Sequence, residues 1–174
     1  LRELAQLDPE RAAKLHARDK KRVVRAYEVY LLTGKTITEL DAESRLKPPD
    51  FDAAYIILGW ASREEMYAHI DARVDEMVGR GLFAEVEALL AEGLSPGSTA
   101  MQAIGYKEAA AALRGECSRA EAIETIKRET RRYAKRQLTW LRRREGALRI
   151  DWQGEPDFAS AVRDSTEYLL RCGI

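Results

Sequence analysis

A run of apolar residues from Ala53 to Gly59 constrains the fold of this chain more than any other segment. It follows a helix-breaking segment, Lys47-Pro48-Pro49-Asp50, and its uninterrupted apolar character is typical of a strand in a parallel sheet that is covered on both faces. A second strand is predicted over Ala147 to Trp152. Two such strands alone do not form a sheet that accounts for their composition. Because the chain also starts with Leu1 rather than Met, we expect it to be the C-terminal part of a larger α/β protein.

Apolar residues at helical spacing dominate the rest of the chain, so the predicted fold is α/β and mostly helical. Three end signals support this: proline follows Asp8 at a helix start, Gly34 stands at a helix end, and Ser62 with Glu65 matches a capping box. Helices are predicted from near Glu10 and over residues 19–33, 38–44, 62–79, 83–92, 102–113, 118–144 and 156–171.

Composition excludes several classes of protein. With 45% apolar residues among 174, the chain can bury one ordinary core. Its 29 Lys and Arg residues balance 29 Asp and Glu residues, so any basic footprint for a polyanion must be local. The two cysteines and two histidines have no zinc-site or disulfide spacing, and no apolar run reaches the roughly 20 residues of a bilayer span. We expect a cytoplasmic monomer without membrane contact.

The tripeptide Gly34-Lys35-Thr36 matches the end of a phosphate loop. The position of that motif's first glycine holds Val29, however, and a predicted helix precedes the segment where a strand is required. We therefore interpret Gly34 as the end of a helix.

Arg73 is more informative, because it lies at the rim of the apolar arc of its predicted helix, close in angle to Met66. One interpretation is structural: a buried ion pair, or a stem that reaches water. The other is a clamp for a phosphate or diphosphate, which suits the fork geometry of a guanidinium.

Positive charge is concentrated in two places. Residues 127–144 carry nine basic side chains and a single acid, Glu129. Four of them fall within one helical arc: Arg128, Arg131, Lys135 and Arg142. A second cluster surrounds the predicted helix start at Asp19: Lys14, Arg18, Lys20, Lys21, Arg22 and Arg25. Each is either a face for nucleic-acid phosphates or a solvated helix face.

The segment Gln102-Ala103-Ile104-Gly105-Tyr106-Lys107 places an amide, a glycine and a phenol beside a cation. These are suitable groups for holding a nucleotide, since glycine permits close backbone approach. The alternative is an ordinary helix start with a packed Tyr106.

An ordered set of motifs then identifies a family. The chain resembles bacterial tRNA dimethylallyltransferases, also called tRNA isopentenyltransferases, from about Leu7 to Trp152. The motifs are Arg22-x-x-Arg25-Ala26-x-Glu28-Val29, Thr33-Gly34-Lys35, Arg73-Val74-x-x-Met77, Gly81-Leu82-x-x-Glu85-Val86, Gln102 to Lys107, and Thr130-Arg131-x-x-Ala134-Lys135-Arg136-Gln137-x-Thr139-Trp140. One departure is His16-Ala17-Arg18-Asp19-Lys20, where the family usually has His-Pro-Asn-Asp-Pro.

The resemblance implies a function. Such enzymes transfer a dimethylallyl group from dimethylallyl diphosphate to N6 of the adenine next to the anticodon of tRNA, with Mg²⁺ as a helper. By the same correspondence Arg73 contacts the donor diphosphate. The resemblance implies tRNA contacts for two segments: Lys21, Arg22, Val23, Val24 and Arg25, and Gln102, Ala103, Ile104, Gly105, Tyr106 and Lys107. It implies a place near the reaction channel for a third group: Lys135, Arg136 and Arg142. Arg131 joins the third group because it shares the basic arc, and we predict that all four residues of this group bind tRNA.

The resemblance also implies the domain organisation. Residues 1–50 are expected to be part of a helical tRNA-binding insertion, and residues 51–174 the C-terminal part of a phosphate-loop-type, nucleotide-binding core. The phosphate loop and the general base of the family lie in its N-terminal half, so we expect these residues alone to be inactive. A non-catalytic helical RNA-binding module and a structural fragment are the alternatives, and a buried Arg73 is expected to argue against the first.

Overall fold

The chain folds into two compact units, Leu1–Ala53 and Ala54–Ile174, in the computed structural model. It describes residues 1–48 and 51–174, so Pro49 and Asp50 of the predicted helix-breaking segment lie outside the described residues. The observed boundary falls three residues after the boundary predicted at residue 50.

The first unit is built from helices α1 (Arg2–Leu7), α2 (Pro9–Ala13), α3 (Lys20–Thr33) and α4 (Ile37–Leu46). They enclose a small core of Leu4, Ala12, Leu15 and Ala26. Gly34 ends α3 with a φ of +71°, and its N–H donates to the carbonyl of Tyr30. The interpretation of Gly34 as a helix end is therefore confirmed, whereas α1 was not predicted from the sequence.

Asp8 connects two elements of this unit. Its carboxylate accepts hydrogen bonds from the N–H of Arg11 (3.0 Å), the N–H of Thr38 (3.1 Å) and the hydroxyl of Thr38 (2.6 Å). Burial opposes ionisation of this carboxyl, but the hydrogen bonds outweigh burial and hold the pKa of Asp8 below its ordinary range. Asp8 thus caps α2 and fixes the first turn of α4 at the same time.

The second unit contains β1 (Ile56–Trp60), α5 (Arg63–Gly79), α6 (Leu82–Ala91), a 3₁₀ turn (Ala100–Gln102), α7 (Tyr106–Leu113), α8 (Arg119–Leu141), β2 (Leu148–Trp152) and α9 (Phe158–Arg171). Helix α5 begins after Ser62, whose hydroxyl caps it by accepting from the N–H of Glu65, and α8 begins at a capping box formed by Ser118 and Glu121. Both starts agree with the predicted ones. Residues 102–113 are not one helix, because Gly105 has a φ of +102° and α7 begins only after it.

Strands β1 and β2 pair in parallel, from Ile56 opposite Leu148 to Trp60 opposite Trp152. The prediction that the first strand is buried on both faces is wrong for the described part of the chain: Ile57 is 3% exposed but Leu58 is 51% exposed. Successive side chains of a strand point to opposite faces, so only the face that carries Ile57 is covered. The mostly helical α/β class itself is confirmed.

The core of the second unit lies where α5, α6, α7 and α8 pack together. Its buried residues are Val74, Leu82, Phe83, Val86, Met101, Ala109, Ala110, Ala122 and Ile126. Within residues 1–48 and 51–174, no helix is both long and apolar enough to cross a bilayer.

Candidate anion and nucleic-acid binding surface

Arg73 projects from the middle of α5 and is exposed. The expectation that it is buried in an apolar arc is wrong, because the next residue, Val74, takes the buried position at 2% exposure. One residue along a helix is a turn of about 100°, which carries Arg73 out of the core. No carboxylate of the described residues forms a salt bridge with it, so the guanidinium keeps its donors for another partner.

A groove of about 660 Å³ lies beside Arg73, between α5, α8 and the 3₁₀ turn; we call it the α5–α8 groove. Its walls are largely apolar, with polar groups at Arg73, Gln102, Thr130, Tyr133 and Gln137. The apolar lining residues are Ile70, Val74, Met77, Ala103, Ile104, Ile126 and Ala134. The structure therefore brings Arg73 together with the first half of the Gln102 to Lys107 segment.

Arg73 also borders a second groove of about 490 Å³, here the Trp60 groove. The Trp60 indole stacks on the His69 imidazole, with ring centroids 3.8 Å apart and planes 17° apart. Met66, Ile70, Ala72 and Glu76 complete the lining around them. A cation between two partly apolar grooves suits a ligand that has an anionic group and an apolar group.

The segment Gln102 to Lys107 divides at Gly105. Gln102, Ala103 and Ile104 line the α5–α8 groove, and the Gln102 side chain donates to the carbonyl of Pro96 at 3.1 Å. Tyr106 packs against the core, and its hydroxyl donates to Glu85 of α6. That hydrogen bond is the largest of the effects that raise the pKa of Tyr106. Tyr106 thus has the packed arrangement of the alternative interpretation, and it does not line the groove.

Ion pairs connect α5 to the basic helix α8. One nitrogen of the Arg131 guanidinium lies 2.6 Å and 2.5 Å from the two carboxylate oxygens of Asp71, and the guanidinium lies 5.8 Å from the Tyr67 ring centre. Lys127 donates to Asp75 at 2.8 Å, which raises the pKa of the lysine. The structure therefore assigns Arg131 to the packing of α5 on α8, and its predicted tRNA contact stays a prediction.

The other predicted residues of α8 are differently placed. Lys135, Arg136 and Arg142 are exposed and form no salt bridge with a described residue. The Arg136 guanidinium lies 5.6 Å from the Tyr133 ring centre. Lys135 and Arg142 line a third cavity, which does not include Arg73.

In the first unit, the predicted segment Lys21 to Arg25 lies in the first turns of α3. Its polar side chains are exposed, and the two arginines make only local ion pairs, Arg22 with Asp19 at 3.3 Å and Arg25 with Glu28 at 3.5 Å. Val23 packs on the small core, whereas Val24 is 53% exposed. Despite the missing prolines, the turn before α3 closes with a hydrogen bond from the Asp19 N–H to the His16 carbonyl.

Several groove residues were not predicted: Trp60, Tyr133 and Gln137. Tyr133 and Gln137 are four residues apart on α8, one helical turn, so they share a face. Tyr133 is 49% exposed, although its helical position opposite the basic arc is typical of a buried residue.

No group of three or more His, Cys, Asp or Glu residues with metal-ligand geometry occurs within residues 1–48 and 51–174. The described residues therefore contain no cluster that would hold Mg²⁺ through three or more such side chains.

The model of the IPP transferase family matches residues 1–144. The chain belongs to the IPP transferase family. It is 42% identical over 170 residues to tRNA dimethylallyltransferase 2 of Geotalea uraniireducens, covering 97% of this chain and 54% of the relative. It is 43% identical over 159 residues to the tRNA dimethylallyltransferase of Geobacter sulfurreducens, covering 91% of this chain and 51% of the relative.

Solved structures agree with this assignment. The fold matches a tRNA isopentenylpyrophosphate transferase of Bacillus halodurans with a TM-score of 0.65 at 34% identity, over 97% of this chain and 50% of the other. It matches a eukaryotic dimethylallyltransferase described as acting on tRNA with a TM-score of 0.75 at 28% identity, over 98% and 46%. This member of the IPP transferase family spans about half the length of the relatives it matches.

Proposed function

We propose that this chain forms part of a tRNA dimethylallyltransferase, which transfers a dimethylallyl group from dimethylallyl diphosphate to N6 of the adenine adjacent to the anticodon. The observation that supports it most is the position of Arg73 between two partly apolar grooves, one of which also contains Gln102. Relatives that are 42% and 43% identical to this chain are named for this activity.

The chemistry gives Arg73 a role. An adenine amine is a poor nucleophile, so the allylic C–O bond must loosen as the nitrogen attacks, and negative charge then grows on the departing diphosphate. A guanidinium already in place stabilises that charge without reorganisation. The apolar residues beside it, such as Ile70 and Met77, suit the dimethylallyl group.

The target adenine must leave its stack to reach the donor. In the proposal, the Gln102 side chain and the adjacent backbone hold the displaced base at the α5–α8 groove, where Gln102 is exposed. Tyr106 holds that segment against the core of the second unit through its packing and its hydrogen bond to Glu85.

Backbone phosphates of the anticodon stem-loop are proposed to bind two basic regions: Lys21, Arg22 and Arg25 on α3, and Lys135, Arg136 and Arg142 on α8. All six side chains are exposed. Ion pairs such as Arg22 with Asp19 are exposed and weak, so exchange of the partner for an RNA phosphate costs little. In this proposal residues 1–50 belong to the tRNA-binding insertion and residues 51–174 to the core.

The family resemblance also implies Mg²⁺, a phosphate loop and a general base. The printed sequence contains no Gly-x-x-x-x-Gly-Lys-Ser/Thr motif, and no step proposed for these residues depends on the metal. We therefore propose that these 174 residues by themselves do not catalyse the transfer.

The test is a transfer assay with a fusion protein. The part of the Geobacter sulfurreducens relative that this chain does not span, which the resemblance implies is its N-terminal part, is joined to the 174 residues. We expect labelled dimethylallyl to appear on an anticodon stem-loop RNA, and none on the same RNA with guanine in place of the target adenine. RNA binding without transfer would instead favour a non-catalytic RNA-binding module.

A further inference from the structure

A third cavity, of about 360 Å³, opens at the carboxyl ends of the two parallel strands; we call it the strand-end cavity. Four cationic side chains from three elements line it: Arg63 of α5, Lys135 and Arg142 of α8, and Arg149 of β2. One carboxylate, that of Asp151, lines it as well.

The charges of this cavity are poorly compensated by the described residues. Arg63, Lys135 and Arg142 form no salt bridge with any of them, and Arg149 reaches only the Asp151 carboxylate, 3.8 Å from Nη2 to Oδ1. Like charges that converge on one cavity repel one another, and the repulsion is relieved when an anion binds between them.

The position of the Asp151 side chain in the cavity depends on the glycine opposite it in the sheet. It lies opposite Gly59 in the strand register, and a Cβ at position 59 would collide with its carboxylate. Glycine thus lets the Asp151 side chain lie across β1, where it meets the Arg149 guanidinium. The carboxylate orients one arginine and leaves the other three cations uncompensated.

Arg73 does not line the strand-end cavity. Trp60 and Met66 line both this cavity and the Trp60 groove, so the two are neighbours.

We propose that the strand-end cavity binds a phosphate group and that Arg63 and Arg149 hold it together with Lys135 and Arg142. Guanidinium groups suit phosphate oxygens because they donate two parallel hydrogen bonds. The inference rests on the proposed function in taking an RNA backbone as one source of the phosphate, since the proposed function already assigns Lys135 and Arg142 to RNA phosphates; a free diphosphate is the other source.

The test uses the 174-residue chain, the double variant Arg63→Gln/Arg149→Gln, and a control, Arg163→Gln, on the exposed face of α9. Fluorescence anisotropy with an anticodon stem-loop RNA is measured over a range of KCl concentrations, and calorimetry is performed with pyrophosphate. If the phosphate belongs to RNA, the double variant binds RNA at least about tenfold more weakly at low salt. Its log-log salt slope is then shallower by about one unit per lost contact.

If the phosphate belongs to a small diphosphate, the double variant loses at least about fivefold in pyrophosphate affinity and keeps its RNA affinity, which also supports the site. Arg63→Lys, which retains the charge, is expected to recover part of the lost affinity. The proposal is overturned if the double variant matches Arg163→Gln with both probes, or if the unmodified chain binds neither probe. Prenyl transfer by the fusion protein is measured separately, so its absence with phosphate binding intact would count against the proposed function alone.

Discussion

Arg73 combines two properties: it borders two partly apolar grooves, and none of the described carboxylates pairs with it. An arginine that only stabilises a fold gains its energy from a partner or from packing of its stem. The absence of a partner among the described residues makes Arg73 the side chain whose substitution is most informative about function.

In the fusion protein, Arg73→Ala should raise the apparent KM for dimethylallyl diphosphate and lower kcat, with little change in RNA affinity. The guanidinium contact strengthens as diphosphate departs, so the loss should be about 2–4 kcal/mol of transition-state stabilisation. Steady-state kinetics with varied donor measures it.

Arg163→Ala is the control, since Arg163 is an exposed arginine of α9 that lines none of the three cavities. An unchanged donor dependence in Arg73→Ala, equal to that of Arg163→Ala, would assign Arg73 to structure.

Salt dependence separates residues that bind phosphates from residues that hold a base. Arg22→Ala or Arg25→Ala should weaken RNA binding and make the log-log salt slope shallower by about one unit per lost phosphate contact. Gln102→Ala should leave that slope nearly unchanged and lower turnover of the fusion protein, because the base is displaced but poorly held.

The same measurement on Tyr106→Phe tests the packed arrangement of that residue. Because its hydroxyl binds Glu85, the variant should lose stability by about 1 kcal/mol with an unchanged salt slope. Equal slope changes in all of these variants, with full turnover at saturating RNA, would contradict the division of roles.

At the scale of elements, local signals predicted helix ends well and tertiary contacts poorly. Ser62 and Gly34 mark helix boundaries through hydrogen bonds and dihedral angles within a few residues, so the sequence suffices to place them. Helix α1 was missed because it is a short helix whose Leu4 is buried by residues distant in sequence. The exposure of Leu58 likewise depends on what covers a sheet face, which no local pattern specifies.

The same difference between local sequence signals and contacts between elements applies to the candidate site. The resemblance and the helical spacing selected Arg73 and Gln102, and the fold places both at one groove. Spacing alone did not show that Arg73 is exposed beside the buried Val74, or that Arg131 is held by Asp71 from another helix. Contacts between elements decide both.

The Asp71–Arg131 pair should set how α5 packs on α8. A double-mutant cycle of Asp71→Asn and Arg131→Gln should give a coupling energy of about 1 kcal/mol, because the pair is partly buried and one guanidinium nitrogen contacts both carboxylate oxygens. Urea unfolding of the four proteins measures it. If Arg131→Gln also changes the RNA salt slope as Arg22→Ala does, Arg131 contacts RNA in addition.

The hydrogen bonds that the Asp8 carboxylate accepts predict that the stability of the first unit depends on pH. The pKa of Asp8 is lowered in the folded chain, so its contribution to stability is fully present above the unfolded-state pKa, about 3.9, and is lost as the pH falls through the lower folded-state pKa. At pH 7, Asp8→Asn should cost about 1–3 kcal/mol, since the amide cannot accept all three hydrogen bonds.

The difference between the wild-type chain and Asp8→Asn should shrink toward zero as the pH falls below that range. Urea unfolding at several pH values, followed by a probe attached to α4, measures it. A difference that stays constant from pH 7 to pH 2 would show that the carboxylate charge contributes nothing.

In the proposed function, both units of the molecule contribute RNA-binding groups, whereas the charge that develops during prenyl transfer needs more cations and donors than Arg73 supplies. The printed sequence has Val29 where a phosphate loop ending at Gly34-Lys35-Thr36 would need its first glycine, and Gly34 ends a helix. We therefore expect the 174-residue chain to bind the anticodon stem-loop within about tenfold of the fusion protein's affinity and to turn over at least about a thousandfold more slowly.

The N-terminal part of the relative alone should neither bind the RNA well nor transfer the prenyl group, and mixing the two parts should restore activity if they associate. Labelled dimethylallyl transfer by the 174 residues alone at a rate near that of the fusion protein would refute this expectation, because the isolated chain would then contain a complete site for the departing diphosphate.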